Sequence, residues 1–194
     1  MSNSTPTDVD LVGDETAGNI ARAALFAALM GAFSYVSFPY PLSPAPVTLQ
    51  VLGVFLAGLF LGPLWGGASI VLYLLAGAVG APVFSGGAAG IGVLLGPTGG
   101  YLLSYAVAAV VVGGVAHGGL RARPLAETPV ARMLAAMVAA TVVIYGIGVP
   151  FLWWNLDVTL RTAVITGAVV FVPAEAAKMA AAIGIVRSDA IRAA

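Results

Sequence analysis

Glu175 and Lys178 stand three residues apart inside an otherwise apolar run, Val170 to Ile185. Insertion scales put each such charge at roughly +2.5 to +3.5 kcal/mol at the centre of a membrane helix, so their presence needs a reason. At positions i and i+3 the two side chains fall on one helix face. Pro173 stands just ahead, and a ring that fixes φ and lacks an N–H suits the first turn of a helix. The pattern predicts a helix that begins or restarts at Pro173. Its positive end and Lys178 then face an anionic group, while Glu175 accepts hydrogen bonds. The alternative is a pair that merely neutralises itself against a neighbouring helix. Ionisable groups inside a membrane mark functional sites by default, which favours a binding site.

Other polar residues cluster in apolar surroundings. Thr48 and Gln50 open an apolar stretch directly after Tyr40–Pro46, a loop whose three prolines forbid helix. Ser69 and Tyr73 lie one turn apart, and Thr98, Tyr101, Ser104 and Tyr105 follow a Gly-rich segment, Gly80–Gly90. That segment leads to Gly96-Pro-Thr-Gly-Gly-Tyr101, which lacks the Gly-Lys-Ser/Thr ending of a phosphate-binding loop. Glycines here let backbone approach a ligand or a neighbouring helix closely. There is no cysteine, and the one histidine, His117, sits at the end of an apolar stretch, where a structural role is expected. Thiolate metal sites and disulfides are excluded, and a nucleophile with its base is hard to assemble.

These residues sit in a chain of 194 residues with 60% hydrophobic and only 8% charged residues and a mean hydropathy of +1.04. Soluble domains carry about 25% charged residues. From Arg22 to Arg121 no Asp, Glu, Lys or Arg intervenes. The class is an all-α membrane protein, and the length leaves room for about six spans of roughly 20 residues. The expected spans are Ile20–Phe38, Val47–Gly62, Leu64–Val79, a fourth ending near Ala116, Ala131–Val149, and a final hairpin or kinked segment from Val158 through Pro173. Residues 1–19 read as a disordered cytoplasmic tail, 20–187 as the membrane domain and 188–194 as a second tail. Placing Arg22, Arg121, Arg123, Arg132, Arg187 and Arg192 on one side, against Arg161 on the other, puts both termini in the cytoplasm. The Pro-rich loop, the Gly-rich loop and the aromatic segment Trp153–Asp157 then share the outer face. Zero net charge gives no reason to expect nucleic acid as a partner.

The first span carries two ridges of small residues, Ala23, Ala27 and Gly31 beside Ala24, Ala28 and Ala32. Such ridges let helices approach closely in lipid, either within the chain or against a partner.

Several stretches together resemble the BioY family, the biotin-specific S components of energy-coupling factor (ECF) transporters. They are Pro46-Val-Thr-Leu-Gln50, Leu56-Ala-Gly58 with Leu61-Gly62, Gly66-Gly-Ala-Ser69, Tyr73-Leu-Leu-Ala-Gly77, Gly80-Ala-Pro-Val-Phe84, Gly96-Pro-Thr-Gly-Gly-Tyr101 and Pro173-Ala-Glu175-Ala-Ala-Lys178. The family's last motif usually reads Pro-Gly-Asp-x-x-Lys, so this chain carries a longer carboxylate and an alanine for the glycine. The resemblance implies a multi-pass cell-membrane subunit that captures biotin from outside. It also implies a transmembrane coupling subunit and a cytoplasmic ATPase pair as partners, with no cofactor or metal of its own. Lys178 and the helix start, with Glu175, Thr48, Gln50, Tyr73, Thr98 and Tyr101, are the expected ligand contacts. The ridges of Ala23, Ala24, Ala27, Ala28 and Gly31 are the expected contact for the coupling subunit. The competing readings are an S component for another vitamin or small organic acid, an intramembrane enzyme, and a purely structural assembly subunit.

Overall fold

The computed structural model describes residues 13–188. Its regular elements are helices, apart from a two-residue antiparallel pairing of β1 (Ser37–Phe38) with β2 (Val47–Thr48) at the base of the Pro-rich loop and an isolated bridge between Phe84 and Ala88. The helices are α1 (Asp14–Tyr35), α2 (Gln50–Ala78), the short α3 (Ile91–Leu95), α4 (Gly99–His117), α5 (Val130–Leu156), α6 (Leu160–Gly167) and α7 (Val172–Arg187). Among the described residues, five helical stretches are long and apolar enough to cross a membrane, α6 and α7 counting together.

The stretch named α2 is not a rod. Gly62 takes φ 72°, ψ −177°, and Pro63 follows it. Nine residues of straight helix separate their ends by about 13 Å. Yet a Cβ on Gly66 would lie 2.8 Å from the carbonyl oxygen of Ala57. Likewise Gln50 Nε2 donates to the Tyr73 hydroxyl at 2.6 Å, although 23 residues part them. The chain therefore doubles back at Gly62–Pro63. Glycine tolerates the left-handed conformation, and proline withholds the N–H that would continue the helix. The reversal falls where the sequence divides its second expected span from its third. Because Gly66 has no side chain, the two halves touch backbone to backbone. Helix α4 packs against α2 and α5 at the centre of the bundle. A Cβ on Gly58 would meet Ala109 O at 2.6 Å, so this contact too is made by glycine.

A second break lies between α6 and α7, at a 3-10 turn, Val169–Phe171. The helix restarts at Val172 with Pro173 in its first turn, as the proline predicts. Two of the carbonyls in this break are satisfied by tyrosines. Tyr101 donates to Gly167 O at 2.8 Å and Tyr40 donates to Val170 O at 3.2 Å. Irregular backbone at membrane depth is tolerated where protein supplies such partners.

Three expectations need correction. Helix α1 begins at Asp14 rather than Ile20, because Asp14 and Glu15 complement the positive end of the helix in its first turn. Residues 14–19 are thus helical, while the remainder of the expected tails, 1–12 and 189–194, lies outside the described residues. Helix α5 continues through Pro150 to Leu156 and turns at Asp157, whose φ is 49°. Trp153 and Trp154 therefore sit exposed on a helix end rather than in a loop. Finally, the two small-residue ridges of α1 are not equivalent. Ala23 and Gly31 are buried and Ala27 is half-buried, and a Cβ on Gly31 would meet Val83 at 3.3 Å. That ridge is thus largely covered by the chain itself. Ala24, Ala28 and Ala32 are exposed.

His117 is buried and clamps two segments. Nδ1 accepts from the Arg123 backbone N–H at 3.0 Å, which leaves Nε2 to donate to Leu59 O at 2.9 Å. Its role in the described structure is to fasten the α4–α5 loop.

Candidate functional site

A cavity of about 320 Å³ lies between the Pro-rich loop, α2, α4, α5 and the start of α7. The turn at Gly62–Pro63 brings Gln50 beside Tyr73, and the break before Val172 aims the first turns of α7 inward. Two local devices, a Gly-Pro reversal and an interrupted helix, thus position Gln50, Glu175 and Lys178.

At one wall Thr48 Oγ1 donates to Gln50 Oε1 at 3.0 Å, and Gln50 Nε2 donates to Tyr73 Oη at 2.6 Å. The chain of bonds fixes the amide and leaves its second N–H for the cavity. Tyr73 is itself held edge-on by Phe84, with ring centroids 5.5 Å apart. Tyr101 enters from α4 with its O–H already given to Gly167 O, so it offers the cavity a ring face and lone pairs. Also in the lining, Lys178 Nζ and Glu175 Oε1 are 2.8 Å apart, with side chains 7% and 5% exposed. A buried pair of this kind needs good geometry to offset desolvation, and breaking it strands a charge. The two charges pair with each other, and both residues line the cavity. Two ammonium protons remain for other acceptors.

Of the seven residues expected to contact ligand, Thr48, Gln50, Thr98, Tyr101, Glu175 and Lys178 line this one cavity. Tyr73 does not. It accepts a hydrogen bond from Gln50 outside the cavity lining. The apolar lining comes from Pro44, Pro46, Phe84, Leu102, Ile144 and Phe171, none of them expected from sequence as contacts. Tyr105 and Tyr145 also line it. Tyr145 had a readable signal, being the only tyrosine of an apolar span. Phe171 had none, since an apolar residue in an apolar span carries no contrast. An apolar chamber lined by a fixed amide and an ion pair suits a small molecule with an apolar body and polar groups.

Comparison with known proteins points the same way. The family model of the BioY family matches residues 4–193. A probable biotin transporter BioY of Pyrococcus horikoshii is 36% identical over 167 residues, covering 86% of this chain and 93% of the relative. The biotin transporter BioY of Thermotoga maritima is 37% identical over 153 residues, covering 79% and 84%. Among solved structures, the S-component for biotin from an ECF-type ABC transporter superposes with a TM-score of 0.80 over 91% of this chain and 93% of its own. At 23% identity that likeness speaks for the fold. By the match of its whole membrane domain, the chain belongs to the BioY family.

Proposed function

We propose that this chain is the substrate-binding membrane subunit of a biotin uptake system. It takes biotin from outside the cell membrane and works with a transmembrane coupling subunit and a pair of cytoplasmic ATPases. The observation that carries the reading is the cavity itself: in a BioY-family chain, the fixed Gln50 amide and the buried Glu175–Lys178 pair face one apolar chamber. A fused bicycle with a ureido group and a carboxylate tail matches that division of polar and apolar surface. The purified chain should bind biotin in isothermal titration calorimetry, desthiobiotin more weakly, and thiamine and riboflavin not at all. Binding of thiamine or riboflavin in place of biotin would give the site to another vitamin.

The proposed topology has six crossings with both termini cytoplasmic, the two halves of α2 counting separately and α6–α7 forming the last. Cysteines placed at Ser43 and Asn155 in this cysteine-free chain should react with an impermeant thiol reagent from outside, and one at Ala122 should not. The opposite pattern would reverse the orientation.

The exposed ridge Ala24, Ala28 and Ala32 supports docking of the coupling subunit on α1. Close helix approach in lipid needs small residues. Ala28→Leu is therefore expected to abolish uptake or co-purification with the coupling subunit while leaving biotin affinity within twofold, about 0.4 kcal/mol. Normal uptake by this variant would remove the ridge from the interface. The chain has no Gly-Lys-Ser/Thr sequence to hold nucleotide, so energy is assigned to the partners.

A further inference from the structure

A second groove, of about 330 Å³, opens at the end of the bundle where α2 reverses, α4 ends, α5 begins and α7 stops. It shares no lining residue with the proposed biotin cavity. Gln50 and Lys178 line the cavity, whereas Leu59 and Val186 line the groove, roughly 12–14 Å farther along the same helices. Phe60 and Leu125 complete its apolar surface, and Arg123 and Ala126 are exposed members of the lining. Side chain to backbone bonds tie these walls together. The buried His117 donates to Leu59 O at 2.9 Å and accepts from the Arg123 backbone N–H at 3.0 Å, so two lining residues are fixed by one ring. Arg187, the last residue of α7, donates to Ala126 O at 2.7 Å and to Thr128 O. A Cβ on Gly62 would stand 2.9 Å from Ala122 Cβ, so the loop also lies directly on the α2 reversal.

The charge here is positive. Residues 118–129 hold Arg121 and Arg123 against one acid, Glu127, and Arg132 and Arg187 stand on the adjoining helix ends. Arg132 and Arg187 are engaged with backbone carbonyls, whereas the Arg123 side chain makes no hydrogen bond or ion pair among the described residues. We propose that this groove binds an anionic phospholipid, with the Arg123 guanidinium on the headgroup phosphate and Leu59, Phe60, Leu125 and Val186 against the first part of an acyl chain. A guanidinium matches phosphate with two parallel hydrogen bonds. A soluble anion would use the arginine and leave the apolar lining uncovered, and an apolar side chain of another protein would do the reverse. A phospholipid satisfies both, and the groove lies where helices of membrane-crossing length end. The proposed topology puts this face in the cytoplasm, where the leaflet is anionic and basic recesses between helices receive headgroups.

The full chain, purified in detergent, is to be unfolded thermally with added dioleoyl phosphatidylglycerol or dioleoyl phosphatidylcholine, which differ in headgroup alone. Phosphatidylglycerol is expected to raise the melting temperature by about 4 °C more than phosphatidylcholine. Arg123→Gln keeps the backbone N–H held by His117 and should abolish this preference. Ala126→Phe, which fills the groove from an exposed position, should abolish it too. Arg121→Gln removes the same charge from a residue outside the lining and should keep it. No preference in the native chain, or a preference that survives Arg123→Gln or Ala126→Phe, would overturn the assignment. Equal losses in Arg121→Gln and Arg123→Gln would reduce it to diffuse attraction and overturn it as well. So would an equal gain from inorganic phosphate with phosphatidylcholine, since a free anion would then suffice. If lipids are not distinguished but Ala126→Phe loses co-purification with the coupling subunit, the groove belongs to a protein contact and the lipid site falls.

Discussion

Replacing Lys178 by methionine is expected to weaken biotin binding at least tenfold, about 1.4 kcal/mol. The ammonium is buried, lines the cavity and is bonded on the protein side to Glu175 alone among the described residues. Any further acceptor for its protons must therefore lie in the cavity or in the ligand. The single variant also strands the Glu175 carboxylate, and an uncompensated buried charge costs about 3–5 kcal/mol. Folding must accordingly be checked by monodispersity before calorimetry. The double variant, Glu175→Gln with Lys178→Met, separates the two roles. If the lysine serves only to neutralise Glu175, removing both charges restores wild-type affinity. If it also meets the ligand, the double variant remains at least tenfold weaker. Unchanged affinity in a well-folded Lys178→Met protein would sink the site assignment.

The second large effect concerns the reversal that builds one wall of the site. Gly66→Val is expected to lower the stability of the bundle by roughly 3 kcal/mol, the upper range for overpacking a filled core. A Cβ there would stand 2.8 Å from Ala57 O, 3.0 Å from Ala57 C and 3.1 Å from Gly58 Cα. All three are backbone atoms, so no rotamer change relieves the clash. For a chain of this size the loss corresponds to a melting temperature lower by about 6–12 °C. Gly114→Val, at a glycine whose added Cβ would meet nothing within 4 Å, is the matched control and should shift it far less. Equal behaviour of the two variants would mean that the halves of α2 do not close as described.

The two predictions rest on features of unequal legibility. Glycine-then-proline at 62–63 and the proline at 173 are backbone statements, since each residue type restricts its own φ and its own hydrogen bond. Both breaks accordingly occur where the sequence puts them. The lone acid and base inside the apolar run near the end of the chain were equally legible, because a charge in hydrocarbon has few alternatives to facing a partner or a cavity. Pro150 shows the limit of that logic. It predicted an end to α5, but the helix carries on to Leu156.

Side-chain facing was the part that sequence left open. In a soluble protein, polarity separates the inward face of a helix from the outward one. In lipid both faces are apolar, so Ala23 and Ala24 read alike although only Ala23 is buried by the chain. Tyr73 and Tyr145 read alike as tyrosines in apolar spans, yet the first is bonded to Gln50 outside the cavity lining and the second lines the cavity. What the sequence alone determined was the membrane class, the places where the chain must turn or break, and the few polar groups that need partners. Which of those groups meet, and which alanine ridge stays exposed, was decided only when the helices packed together. That choice depends on the rotation of each helix about its own axis, which is set by contacts with neighbours rather than by any contrast along the chain.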